Sequence, residues 1–370
     1  MRIHPVDGLL FLVMKLLKSM DRRETGLEHF RPEDVRSILV VSSTAIGDTL
    51  LSTPAIRAVR DRYPDARIIA HFNVKNRELF ENNPHIDAII PYQGGYRRFF
   101  RTVRDFRREK CDLALIFHGN EPQATPMAYL SGARFIVKIP MSKKYGFLLS
   151  NKDNGFDNPW EHHAIDVRLK AASLVGAKEQ NRDMVLLVDE GERQYVRAYL
   201  AEKGMGGEER AIGFQVGAAS PYKAWPEERF IELGKGIHRD DPARFILITG
   251  SAPERPLCRR VAEGIGGRAL SVAGDLSLKG LAALVGEMDL LVTNDTGTMH
   301  MAVALQTKTV SLFCPTDSWG VGPVQDLHLH KIIKKDRPCS PCVTKKCREP
   351  FCMDLITVDG VYGAVKEMLQ

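Results

Sequence analysis

The chain has 370 residues, 44% hydrophobic and 26% charged, a balance that suits a soluble globular protein and excludes disordered and fibrous classes. That length exceeds what one core usually supports, so two domains are expected. The net charge of +6 is uneven: up to Val185 there are 29 Lys and Arg against 22 Asp and Glu, and beyond it 23 against 24.

The first apolar run, Leu9 to Met14, is followed by Lys15 and Lys18 among Leu16, Leu17 and Met20. It falls short of the roughly 20 apolar residues that span a bilayer, and no small-residue cleavage site of the secretory kind accompanies it. A short amphipathic helix fits, within an extension over residues 1–35. Its basic edge suits a membrane surface as readily as packing on another domain.

Residues 36–190 then read as alternating strands and helices. SILVV (Ser37 to Val41) is a predicted buried strand, followed by a polar turn and a helix beginning near Asp48. RIIAHF (Arg67 to Phe72), DAIIPY (Asp87 to Tyr92) and DLALIFH (Asp112 to His118) follow, separated by helical or mixed segments. Between the last two lies Tyr96 to Lys110, with seven basic residues against two acidic ones. Such a patch suits an anionic partner, whether nucleic acid, anionic lipid or phosphorylated glycan, or is a solvated helix face. Phe99, Phe100 and Phe106 sit in it at helical spacing and are expected to face a core, which argues against nucleic acid.

After a loop-rich stretch holding Gly155, Pro159, Trp160 and His162, a helix from about Ala164 to Val175 leads to VLLVD (Val185 to Asp189). A charged helix, Glu190 to Lys203, reaches the glycines Gly204 to Gly207, and the domain boundary is expected in this region. Residues 191–370 restart the pattern with AIGFQVG (Ala211 to Gly217), RFILITG (Arg244 to Gly250), DLLVTN (Asp289 to Asn294) and TVSLFC (Thr309 to Cys314). Two α/β domains in tandem imply a cleft between them. No G-x-G-x-x-G follows the first strand, and no G-K-[ST] phosphate loop occurs.

Three strand-to-helix junctions concentrate the residues that could carry chemistry. In SSTAIGDTLLSTP, Gly47 allows a tight turn and Asp48 stands at a helix start, where an N-cap is the simplest role for it. In GAASPYKAWP, small residues including Ala219 and Ser220 permit close approach of backbone to a phosphate, and Lys223 can neutralise it unless it is simply a surface lysine. In NDTGTMH, Asp295, Thr296, Gly297 and His300 mark a helix N-terminus that offers unpaired N–H groups to an anion. Asp295 could equally be a cap and His300 a buried core residue.

Seven cysteines include a cluster, Cys339, Cys342, Cys347 and Cys352, spaced C-x2-C-x4-C-x4-C. This could be a zinc or iron–sulfur site, local disulfides or reduced thiols. Cys111, Cys258 and Cys314 sit in apolar or helical contexts and are expected to pack as small hydrophobes.

Taken together the junctions resemble glycosyltransferase family 9, the ADP-heptose:lipopolysaccharide heptosyltransferases. The chain carries x-x-x-I-G-D-x-L-L-x-T-P at Ile38 to Arg57 and K-x-W-P at Lys223 to Pro226. A D-T-G-x-x-H-x-A-A-A segment is present as Asp295 to Ala304 with Val303 replacing the second-to-last alanine, and F-G-P-T-D as Phe313 to Asp317 with Cys314 replacing glycine. The cysteine segment also resembles the C-terminal pattern of many members, which weighs against a metal because the family is not implied to be metal-dependent.

The resemblance implies a GT-B fold: two Rossmann-like domains facing each other across a cleft, an acceptor-binding N-terminal half and a donor-binding C-terminal half. It implies a cytoplasmic inverting enzyme that moves heptose from ADP-heptose to the lipopolysaccharide inner core, with no required cofactor. Another nucleotide sugar is the alternative donor, and a non-catalytic nucleotide- or glycan-binding protein with a four-cysteine metal module is the alternative class. Asp48 matches the family's proposed base. Lys223, Ala219, Ser220, Thr296 and Gly297 would meet the leaving diphosphate, Asp295 and His300 would position the donor, and Glu254 would reach the ribose. Related sequences often carry a hydroxyl residue where Ala219 stands, so contact there would rest on backbone N–H groups.

Overall fold

The computed structural model describes residues 5–119, 123–139, 144–152, 156, 158–207, 209–336, 339, 347 and 351–370. It divides into two units, Met1–Val185 and Leu186–Gln370.

The first unit is built on a parallel sheet in the order β3-β2-β1-β4-β5. Its strands are β1 (Ser37–Ser42), β2 (Arg67–Phe72), β3 (Ala88–Ile89), β4 (Leu113–His118) and β5 (Phe135–Val137). Its helices are α1 (Pro5–Met20), α2 (Ile46–Leu50), α3 (Thr53–Arg62), α4 (Phe99–Glu109), α5 (Ala124–Leu130) and α6 (Ala164–Ser173). Every residue of β1 is buried. A central parallel strand is covered on both faces, so it reads as a continuous apolar run, and each buried Ile, Leu or Val contributes roughly 1.5–3 kcal/mol.

The second unit repeats the plan with six strands in the order β11-β10-β9-β6-β7-β8. They are β6 (Ala211–Gln215), β7 (Phe245–Thr249), β8 (Ala269–Ser271), β9 (Leu290–Asn294), β10 (Lys308–Phe313) and β11 (His330–Lys334). The helices are α7 (Glu190–Glu202), α8 (Glu227–Asp240), α9 (Arg255–Ile265), α10 (Leu278–Gly286), α11 (Gly297–Ala304), α12 (Ser318–Val321) and α13 (Val358–Leu369). Each sheet begins near its middle, builds to one side, then crosses to the other. The reversal falls between β1 and β4 in the first unit and between β6 and β9 in the second. Crevices at the carboxyl ends of such strands are where open α/β sheets bind ligands.

Several expectations are corrected. DAIIPY pairs with β2 only at Ala88 and Ile89, and Tyr92 returns as an isolated bridge to Asn73. Pro91 between them has no N–H for the ladder. VLLVD forms no strand; it joins the units, with the Val185 N–H donating to Thr53 Oγ1 at 2.8 Å. The unpredicted strands β5, β8 and β11 all lie at or next to sheet edges, and β5 and β8 are three residues long, too short for a periodic signal. Phe99 and Phe106 face the core, whereas Phe100 is 80% exposed. Cys111, Cys258 and Cys314 are buried.

Candidate active site

In the first unit the crevice is formed by the turn after β1 and the end of β4. Asp48 is not the cap of α2; Ala45 holds that position without a side-chain bond, and Asp48 lies in the first turn. Its carboxylate is held by other elements instead. Thr44 Oγ1 donates to Oδ2 at 2.8 Å, and Arg168 Nη2 on α6 donates to Oδ1 at 3.2 Å. His118 Nε2, at the end of β4, lies 3.7 Å from Oδ1.

Arg168 is the buried element of this cluster, its side chain 4% exposed against 30% for Asp48. Its Nε donates to Ser52 Oγ at 2.9 Å and its Nη1 to the Ala164 carbonyl at 2.7 Å. Burial lowers its pKa and the Asp48 charge opposes that shift. A buried guanidinium needs its carboxylate partner, so the pair fixes where Asp48 points. His163 Nδ1 accepts the Ile165 N–H and caps α6, which secures the helix that carries Arg168.

Thr44 has one hydroxyl proton and gives it to Asp48, so at the 2.7 Å contact with His118 its oxygen accepts from Nδ1–H. That assignment leaves the His118 Nε2 lone pair toward Asp48. Burial on one side pushes the His118 pKa down, against the raising effect of Asp48, which favours the neutral ring. The junction thus combines a carboxylate with open access and a neutral imidazole beside it.

In the second unit the crevice lies between the ends of β6 and β9. Asn294 ties them: its Nδ2 lies within 3.1–3.4 Å of the carbonyls of Gln215, Val216 and Gly217, and its Oδ1 accepts the Trp225 N–H at 3.0 Å. Trp225 is buried edge-on against Phe230, and its Nε1 donates to the Ile356 carbonyl at 2.9 Å. An indole anchored at both its backbone and its ring N–H pins the loop, which sets the position of Lys223 two residues earlier. Lys223 Nζ then meets Asp295 Oδ2 at 2.6 Å, and Thr316 Oγ1 donates to the same oxygen at 2.9 Å.

Asp295 is buried and is not a cap; Thr296 is the N-cap of α11, with no side-chain bond to the helix, and Gly297 begins it. The first-turn N–H groups of α11 therefore open beside the ion pair. His300 lies buried one turn further along the same helix. Ala219 is exposed and Ser220 half-buried at the entry to the turn carrying Lys223. Glu254 closes a capping box, with Ser251 N and Oγ both donating to its Oε2 at 2.7 and 2.6 Å. A Cβ at residue 217 would stand 1.8 Å from Glu254 Oε1, so only glycine there lets the carboxylate lie against the end of β6. A cavity of about 250 Å³ adjoins, with Thr316, Asp317, Lys334 and Lys335 in its wall.

The structure thus gathers Lys223, Asp295, Thr296 and Gly297 at one crossover, with Ala219, Ser220 and Glu254 around the end of β6, and Asp48 at the other unit's crossover. Sequence reading missed Arg168, His118, Thr44 and Asn294. Arg168 and His118 are far from Asp48 in the chain and carry no motif; Thr44 and Asn294 stood inside quoted segments but had no local reason to be singled out. Among the described residues no group of three or more His, Cys, Asp or Glu could hold a metal. Cys342 lies outside the described residues; Cys339 is exposed, Cys347 partly so, and Cys352 is buried.

Residues 101–352, more than half of the chain, match the model of glycosyltransferase family 9 (heptosyltransferase). The chain belongs to this family. As a glycosyltransferase it has two Rossmann-like domains of the GT-B kind, and its solved relatives share that fold. A family 9 glycosyltransferase from Veillonella parvula superposes with a TM-score of 0.78 at 22% identity, covering 92% of this chain and 98% of its own. The Escherichia coli ADP-heptose lps heptosyltransferase II superposes at 0.73 with 23% identity, covering 90% and 98%. Lipooligosaccharide heptosyltransferase 2 of Campylobacter jejuni is 23% identical over 342 residues, 90% of this chain and 98% of that protein. The activity is heptosyltransferase-like glycosyl transfer.

Proposed function

We propose that this glycosyltransferase moves heptose from ADP-heptose to a lipopolysaccharide inner-core acceptor at the cytoplasmic face of a membrane, with inversion at the anomeric carbon. The single observation that carries this reading is the Lys223–Asp295 pair at the β6/β9 crossover, beside the open N-terminus of α11. That arrangement suits a diphosphate that gains charge as it leaves. A donor of this type is also named for the related E. coli enzyme.

In the proposed reaction an Asp48 oxygen takes the proton of the acceptor hydroxyl as the hydroxyl's own oxygen attacks the anomeric carbon. The bond from that carbon to the β-phosphate oxygen breaks on the opposite side, and ADP departs. Lys223 and the N–H groups of Thr296 and Gly297 stabilise the leaving diphosphate, and the backbone at Ala219 and Ser220 adds donors. Asp295 orients Lys223 and meets the sugar hydroxyls, His300 supports the phosphate side, and Glu254 binds the ribose. Arg168 positions Asp48, and the His118 Nε2 lone pair provides a second resting place for the proton. No metal enters this scheme. The first unit binds the acceptor, consistent with its excess of basic residues.

A second reading keeps every residue role and changes the donor sugar or base. The test is a thermal-shift panel of ADP, UDP and GDP, followed by transfer from ADP-heptose to a deacylated inner-core acceptor read by mass. Stabilisation by ADP and the mass gain of one heptose are expected. A shift with UDP or GDP and none with ADP overturns the heptose reading.

A further inference from the structure

Helix α1 is apolar on two sides. Its inner side, Leu10, Phe11 and Met14, packs into the first unit's core against Phe99, Val103, Phe106, Tyr145 and Phe147. At 100° per residue, Leu9, Leu12, Val13, Leu16, Leu17 and Met20 fall within an arc of about 140° on the outer side. No polar residue lies in that arc, and all six are exposed, Leu9 and Leu12 at 64%. A helix of a soluble protein normally turns polar residues outward, so a contiguous exposed apolar stripe calls for an occupant.

The flank identifies the occupant. Tyr96, just before α4, donates its hydroxyl to Asp7 near the start of α1. At the other end, Arg107 on α4 shares a surface cavity of about 340 Å³ with Leu17 and Met20. The two helices therefore run side by side. On α4, Phe100 and Arg104 stand next to Arg107 around the helix, with Arg108 and Arg101 beyond them, and all five are exposed. Lys15 is exposed on the other margin of the stripe. No described helix is long and apolar enough to cross a membrane.

We infer that the outer face of α1, together with the Phe100 and arginine edge of α4, docks in the plane of a bilayer rich in anionic phospholipid. Leucines and Phe100 enter the headgroup boundary while the arginines and Lys15 meet lipid phosphates. A second copy of the chain would cover leucines but would present the same basic face in place of a phosphate-bearing surface, which disfavours it. The inference goes beyond the transfer reaction and does not depend on the donor's identity.

The test is flotation of the full chain with vesicles of phosphatidylcholine alone or mixed with phosphatidylglycerol, without donor or acceptor present. Partitioning onto the mixed vesicles is expected to exceed that onto the neutral ones by roughly tenfold or more, and to weaken with salt. Leu12→Ser/Leu16→Ser is expected to lower binding by roughly tenfold or more, and Arg101→Glu/Arg104→Glu to remove the preference for anionic lipid. The second variant keeps the apolar stripe, so it tests the surface even where the first folds poorly. A wild-type chain that stays in the aqueous fraction overturns the inference. So does a dimer in analytical ultracentrifugation that the leucine variant dissociates, or binding of a nucleic-acid duplex in preference to vesicles.

Discussion

The two crossovers, β1/β4 and β6/β9, have the same topology and opposite electrostatic designs. In the first, a buried cation serves an accessible carboxylate: Arg168 is enclosed and Asp48 is open. In the second, a buried carboxylate serves a more accessible cation: Asp295 is enclosed and Lys223 reaches outward. In each pair the enclosed member fixes the direction of the other, and the exposed member is the one that solvent reaches. A carboxylate presented this way can accept a proton, and an ammonium can meet a phosphate. The shared fold therefore presents opposite charges at its two crossovers through which charge it buries.

The sharpest way to break this contrast is to neutralise the exposed member of each pair. Asp48→Asn is expected to lower kcat about a thousandfold while the ADP Kd stays within about twofold, measured by steady-state kinetics and calorimetry. An equal loss of ADP affinity would show that Asp48 serves the donor. Asp48→Ala leaves Arg168 enclosed without its carboxylate. The expected cost is about 2–3 kcal/mol in denaturant unfolding, below the cost for a fully buried pair because Asp48 is partly solvated. Adding Arg168→Met should restore stability but not activity; failure to restore it would mean that the pair is not what holds the junction.

Lys223→Ala is expected to raise the ADP Kd about thirtyfold, near 2 kcal/mol, and to lower turnover as well. An unchanged Kd would remove the phosphate role and leave Lys223 as a structural partner of Asp295. The last comparison concerns pH. Each unit holds a buried histidine, His71 in the first and His330 in the second, whose pKa burial lowers from 6.5 to about 4. The unfolded chain protonates both as pH falls below about 6.5, whereas the folded chain resists, so stability is lost toward pH 4. By pH 5 the loss is about 2 kcal/mol for each, read as a falling Tm. His71→Leu should flatten the fall, and an unchanged slope would exclude His71.

Much of the fold was legible because central parallel strands are uninterrupted apolar runs. Arg67 to Phe72 is strand at both stated ends, and the starts of α8 at Glu227 and α11 at Gly297 follow from Pro226 and the Thr296-Gly297 pair. The edge strands β5 and β8 were not legible, since three residues at a sheet margin have no periodicity to detect. Phe100 was misplaced because it was grouped with Phe99 and Phe106, which share one face of the helix, although a single step along the chain turns it about 100° away from them.

For the site, local order in the chain determined the three junctions, the residue types in each and the resemblance to family 9. All of these depend on neighbours within about ten residues. Only the tertiary structure decided that Asp48 is gripped by Arg168 and not by its own helix. It also decided that Asp295 pairs with Lys223 and does not cap α11, and that α1 turns leucines outward. Those outcomes depend on side chains 72 to 120 positions apart meeting at a crossover, and on which face of a helix the core claims first. A sequence pattern carries no term for either, because burial is settled by the whole packing and not by the segment itself.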